Sequence, residues 1–166
     1  MRRRVGSTPI PLRHRSCDTD GRAAMNEAIE APPELHYLIE HQVWARLHAD
    51  GSATVGITAL GIRLSGEIYM ARPKGVGVAV AQGGSIGVVE LAKSIVSVKS
   101  PLTGTVLEVN PALAERPQLV HQDPYGRGWL ARLRPADFAR DAARLVHGDA
   151  VAAAMREHAR RHADER

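Results

Sequence analysis

From residue 35 to residue 134 the pattern is one of short apolar runs of four to six residues, punctuated by glycine and proline. Runs of that length are too short for long amphipathic helices and match buried strands. The pattern predicts strands at Val43–Leu47, Ala53–Thr58, Ile68–Ala71, Val76–Val80, Ile86–Val89, Ile95–Val98, Gly104–Val109 and Trp129–Leu133. Two short helical stretches, Ala59–Leu64 and Pro111–Glu115, interrupt them. Turns this closely spaced leave no room for the helical crossovers of a parallel sheet, so the class is mainly β, an antiparallel sandwich or barrel. Aromatic residues are only 4% of the chain, which predicts a core built from aliphatic side chains.

The two ends differ in character from this middle. Residues 136–163 are rich in alanine and arginine, and Phe138, Ala142, Leu145, Val146 and Met155 fall roughly on helical spacing. One or two helices are expected there, with a break near Gly148. Residues 25–34 form a short acidic lead-in with a Pro32–Pro33 pair. The first 24 residues have no apolar periodicity and are read as a disordered head. The expected organisation is therefore 1–34 as head and lead-in, 35–134 as the β domain and 135–166 as a helical tail.

Charge narrows the classes of function. The formal net charge is +4 and the isoelectric point is near 9.7, which invites a nucleic-acid reading. The first 24 residues hold six arginines against two aspartates, an excess of four that accounts for all of it. Such an Arg-rich head also fits a mitochondrial transit peptide, and a start at Met25 is the plainer alternative. The tail balances six arginines with six acidic residues, so a solvated helix face explains it without nucleic acid. No run of some 18 apolar residues exists to cross a membrane. The single cysteine, Cys17, cannot form an intramolecular disulfide or an all-cysteine metal cage. His158 and His162 have the spacing of a helical metal pair but lack a third ligand, so no metal site is assigned. His41 and His121 are read as structural or surface residues.

One segment carries a chemical signal. In Gly83-Gly84-Ser85-Ile86-Gly87-Val88-Val89-Glu90-Leu91-Ala92-Lys93-Ser94-Ile95-Val96-Ser97-Val98, two apolar runs flank Glu-Leu-Ala-Lys. The hairpin would reverse over those four residues and project the Lys93 amine into solvent. An unhindered amine is what an acylating enzyme must reach. Gly83 lies ten residues before Lys93 and Gly104 eleven after, so two permissive turns bracket it. An exposed hairpin lysine is also common without any function.

These residues resemble the H protein of the glycine cleavage system, a lipoyl-carrying family. The likeness runs from about His41 to Leu133 and takes in Val55-Gly56-Ile57-Thr58, Gly66-Glu67-Ile68 and Val76-Gly77. It continues through Gly87-Val88-Val89-Glu90-Leu91-Ala92-Lys93, Ser100-Pro101 and Glu108-Val109-Asn110-Pro111. It ends with Asp123-Pro124-Tyr125-Gly126 and Gly128-Trp129-Leu130, a segment characteristic of the family. The resemblance implies a lipoyl-domain β-sandwich of the hammerhead type, a barrel-sandwich hybrid. It implies lipoic acid on Lys93, Glu90 as the acidic residue read by a lipoate ligase or transferase, and Gly83 and Gly104 as the turns framing the site. It also implies a carrier, not an enzyme, with no catalytic residues of its own. Biotin carriers share the fold but set their lysine between methionines, whereas Lys93 lies between Ala92 and Ser94.

Departures from the family bear on partners. Leu91 stands where a serine or threonine is usual, Ser97 where aspartate is frequent, and His121 where asparagine is. Arg72-Pro73-Lys74 replaces a Val-Glu-Leu-Pro-like segment, turning an acidic position basic. Residues 35–134 hold ten basic and seven acidic residues, a net +3 where such carriers are typically acidic. Arg72 and Lys74 are therefore candidate docking residues. They resemble a sister branch, the lipoate-binding proteins of bacterial sulfur oxidation, which work with a heterodisulfide-reductase-like complex and sulfurtransferases. The expectation leans to that branch, with the glycine cleavage P, T and L proteins as the alternative partners. The cytoplasm is the expected location, or the mitochondrial matrix if the head is a transit peptide.

Overall fold

The computed structural model describes residues 29–165, so the Arg-rich head with Cys17 and Met25 lies outside the described residues. The chain opens with β1 (His36–Leu38), a 3₁₀ turn at Ile39–His41, β2 (Val43–Leu47) and β3 (Ala53–Ile57). Helix α1 (Ala59–Ser65) leads to β4 (Met70–Pro73), β5 (Ala79–Val80), β6 (Ser85–Glu90), β7 (Ile95–Lys99) and β8 (Gly104–Val109). A second 3₁₀ turn at Pro111–Ala114 and α2 (Leu119–Gln122) precede β9 (Ala131–Pro135). The last elements are α3 (Phe138–Ala142), β10 (Val146–His147) and α4 (Ala150–Asp164).

Two antiparallel sheets result. Seven strands run in the order β10-β1-β2-β3-β9-β8-β5, and three in the order β4-β6-β7. The mainly β class with short helices and a helical end matches the sequence expectation. The main core between the sheets is aliphatic, with Val43, Val55, Val89, Val98, Val106 and Leu133 among its buried members. Tyr37, Trp44 and Tyr125 gather elsewhere, in a second core with Leu35, Leu60, Val151 and Met155. There the Trp44 indole N–H donates to the carbonyls of Ile57 and Pro124, both at 3.1 Å. That satisfies the one polar atom of a fully buried ring.

Several expected strand limits shift for visible reasons. Thr58 ends no strand but caps α1, its hydroxyl accepting the Gly61 N–H at 3.0 Å and donating to Gln42 at 2.6 Å. Ile68 is buried ahead of β4, and its N–H is taken by Nε2 of His121 at 2.9 Å. The run Val76–Val80 contributes only Ala79–Val80, because residues 75–78 turn, with the Val78 N–H donating to the Gly75 carbonyl. The sequence pattern missed β1 and β10 altogether.

Those two strands decide how the tail sits. β10 pairs with β1, His36 opposite His147 and Tyr37 opposite Val146. Helix α4 then buries Val151 and Met155 in the aromatic core. The Gly148 N–H donates to the Pro33 carbonyl, and the Tyr37 and Tyr125 hydroxyls donate to the carbonyls of Pro32 and Glu30. The lead-in from residue 29 and the segment after residue 134 are thus both joined to the strands. Asp141 of α3, buried, accepts the Thr103 N–H at 2.7 Å and ties α3 to the turn before β8.

Candidate functional site: the Lys93 hairpin

Strands β6 and β7 form a hairpin with Glu90 opposite Ile95, Val88 opposite Ser97 and Gly87 opposite Val98. The turn comprises Leu91-Ala92-Lys93-Ser94 and is closed by the Leu91 N–H donating to the Ser94 carbonyl at 2.8 Å. It begins one residue later than the sequence suggested, because Glu90 is still held in the ladder on both sides. Its carbonyl accepts the Tyr69 N–H at 2.8 Å, and its register partners are Met70 and Ile95. Lys93 is exposed at the tip, and among the described residues it makes no ion pair.

Alternation along the strands sorts the rest of this sheet. Ala71, Val89 and Val98 face the aliphatic core. The opposite face carries two cross-strand rows, Met70–Glu90–Ile95 nearest the tip and Arg72–Val88–Ser97 behind it. Ile95 is 67% exposed and Tyr69 and Met70 are also open to solvent, so an apolar collar lies at the strand ends next to the turn. Arg72 does not point straight out from its own row. Its guanidinium reaches forward to Oε1 of Glu90 at 3.2 Å and to the Met70 sulfur at 3.6 Å. The cation thus leans toward the turn that holds Lys93. Lys74 follows with an exposed side chain while its N–H donates to the Ile86 carbonyl. Lys99 stands opposite Ser85 at the far end of the hairpin.

The sequence-derived residues therefore fall into two groups. Lys93 lies in the turn, Glu90 and Arg72 pair on the strands next to it, and Lys74 lies just beyond β4. Gly83 and Gly104 lie at the root, separated from the tip by the six residues of β6, roughly 20 Å of strand. Their roles there concern the backbone. Gly83 adopts φ +79, which favours glycine, and its N–H donates to the Ser100 carbonyl at 2.8 Å. A Cβ on Gly104 would strike the Arg134 carbonyl of β9. The collar of Tyr69, Met70 and Ile95 escaped the sequence reading. Its only signal was the alternation that sets Ile95 opposite Glu90.

A metal centre does not emerge: among the described residues no three histidine, cysteine or carboxylate side chains converge. The His158 and His162 rings sit 4.5 Å apart on α4, with Glu165 3.6 Å from His162. No described helix is long and apolar enough to cross a membrane. The open groove beside α1, about 430 Å³, is lined by Ile62 together with Arg63, Glu67, Gln118 and His121. What the tip offers chemically is one solvent-facing amine on a pinned turn, flanked by an ion pair and an apolar collar.

Comparison with known proteins meets the same region. The family model described as glycine cleavage H-protein matches residues 35–158, which includes β10 and most of α4. Glycine cleavage system H protein 2 of Aquifex aeolicus is 38% identical over 130 residues, covering 78% of this chain and 81% of that protein. The glycine cleavage system H protein of Chromobacterium violaceum is 44% identical over 108 residues, 65% of this chain and 84% of its own. The crystal structure of a glycine cleavage system H protein from Mycobacterium marinum superposes with a TM-score of 0.63 at 29% identity, covering 74% of this chain and 96% of that one. The family model spans the strands that build the hairpin, and on that ground the chain belongs to the glycine cleavage H-protein family.

Proposed function

We propose that this chain is a lipoyl carrier, with lipoic acid joined through an amide to Lys93. The observation that carries the reading is the exposed amine at the tip of the β6–β7 hairpin, supported by family membership. The residues suit the group: the amine has no ion pair to give up among the described residues, and the apolar collar offers contact to an aliphatic arm. When bound, the dithiolane supplies thiol–disulfide exchange and group carriage. The chain presents the amine, holds the turn still through the Leu91–Ser94 hydrogen bond and keeps Glu90 beside it for an acylating enzyme to read. It is a substrate for other enzymes and not a catalyst, and it works in the cytoplasm. Co-expression with a lipoate ligase or transferase is expected to raise the intact mass by one lipoyl group. Lys93→Ala is expected to abolish the gain; a lipoylated Lys93→Ala protein would sink the assignment.

The names of the relatives support a carrier that serves the glycine cleavage P, T and L proteins. A second reading, sulfur carriage with a heterodisulfide-reductase-like complex and sulfurtransferases, rests on the cationic side chains Arg72 and Lys99 of this sheet and Lys74 just beyond it. Acylation removes the Lys93 charge and leaves these three against Glu90 alone on the hairpin and β4, which suits a partner with an acidic rim. Assaying the lipoylated protein for glycine decarboxylation and for sulfur exchange with a sulfurtransferase separates the two.

A further inference from the structure

Resting on the reading of Lys93 as an acylated lysine, we propose that Arg72 is a specificity residue for that acylation. By occupying the Glu90 carboxylate it discriminates among acylating enzymes. Two anchors hold its guanidinium over the rung next to the turn, Glu90 at 3.2 Å and the Met70 sulfur at 3.6 Å. Met70 and Glu90 are register partners, so both anchors belong to the cross-strand pair nearest the tip. An enzyme closing over Lys93 therefore meets a cation and a carboxylate locked together, with Ile95 on the other side of Glu90.

This arrangement changes what Glu90 offers. A carboxylate three residues before the lysine attracts an enzyme that approaches with its own cation. Here such an enzyme must displace Arg72 and then tolerate it as a like charge, while an enzyme with an anion at that place gains a partner. The chemistry at the amine is the same for both. Attack of the Lys93 nitrogen on an acyl adenylate forms the amide C–N bond, breaks the acyl–phosphate C–O bond and releases the nucleoside monophosphate and two protons from the original ammonium. Arg72 touches none of these atoms. It acts through Glu90 on the encounter, so its effect belongs in KM and not in kcat.

The test uses the full chain and a lipoate ligase, with ATP and lipoic acid, that accepts H proteins with an acidic segment in place of Arg72-Pro73-Lys74. Arg72→Ala is expected to raise kcat/KM for acylation about fivefold, through KM, the scale of one exposed ion pair. Arg72→Lys is expected to stay near the native value. Glu90→Gln should remove the gain in the Arg72→Ala background, because the released carboxylate is what the enzyme's cation meets. Thermal unfolding of each variant reports any loss of fold. Equal kcat/KM for native, Arg72→Ala and Arg72→Lys chains overturns the proposal, as does a gain that survives Glu90→Gln. Absence of any lipoyl group on Lys93 in every variant, seen by peptide mass mapping, instead overturns the underlying reading of Lys93 and takes the proposal with it.

Discussion

Arg72 and Glu90 meet at 3.2 Å across β4 and β6, on the outward face of the three-stranded sheet and three residues short of Lys93. Both side chains keep contact with solvent, so the pair gains little from Coulomb attraction after screening and side-chain ordering. Its effect on folding is expected to be small. Arg72→Ala and Glu90→Gln should each change the unfolding free energy by less than about 1 kcal/mol. Urea denaturation checks this, and a loss well above that figure would mean that the pair holds the sheet together instead of tuning recognition.

The relation was not legible in the sequence, although both residues were singled out there. Residues 72 and 90 become neighbours only because β6 pairs with β4 and leaves β5 to the other sheet, a choice that local pattern does not encode. Alternation and turn residues do encode the strands of the domain's middle. Strands β2 and β8 begin and end where the pattern placed them, and the lysine turn is displaced by one residue. Strands β1 and β10, of three and two residues, are too short to show a period of two. Their pairing, and with it the place of α4, came from the tertiary structure alone. Composition foretold an aliphatic core but not that Tyr37, Trp44 and Tyr125 would assemble a second one.

That second core makes the end of the chain structural. Met155 is fully buried beside Val151 against the aromatic cluster, some twenty residues beyond the expected end of the β domain at residue 134. Truncating it leaves a cavity that rigid neighbours such as Trp44 cannot collapse into. Met155→Ala is expected to cost about 2–5 kcal/mol, read as a lower urea midpoint with an unchanged slope. A shift within experimental error would show that α4 rests on the domain without being part of its fold.

Acid should loosen the same region. His36 of β1 stacks on His147 of β10 with ring centres 4.1 Å apart and nearly parallel, and the edge of Phe138 closes the stack at 5.0 Å. Burial, and then the neighbouring His147, hold the His36 pKa below its ordinary value of 6.5. On α4, burial and His162 lower His158 in the same direction. The sign follows from proton uptake. As pH falls through about 6.5 the unfolded chain protonates these rings before the folded one does, so unfolding is favoured. The stability they allow is complete above that pH and declines until the depressed folded values are reached. The melting temperature is therefore expected to fall by a few degrees between pH 7.5 and 5.5. His36→Gln, neutral throughout, should flatten part of that slope, leaving the share due to His158. Amide exchange at Tyr37 and Val146, the residues paired next to the stack, should quicken in the same interval. A native-like slope in His36→Gln would place the acid sensitivity elsewhere in the molecule.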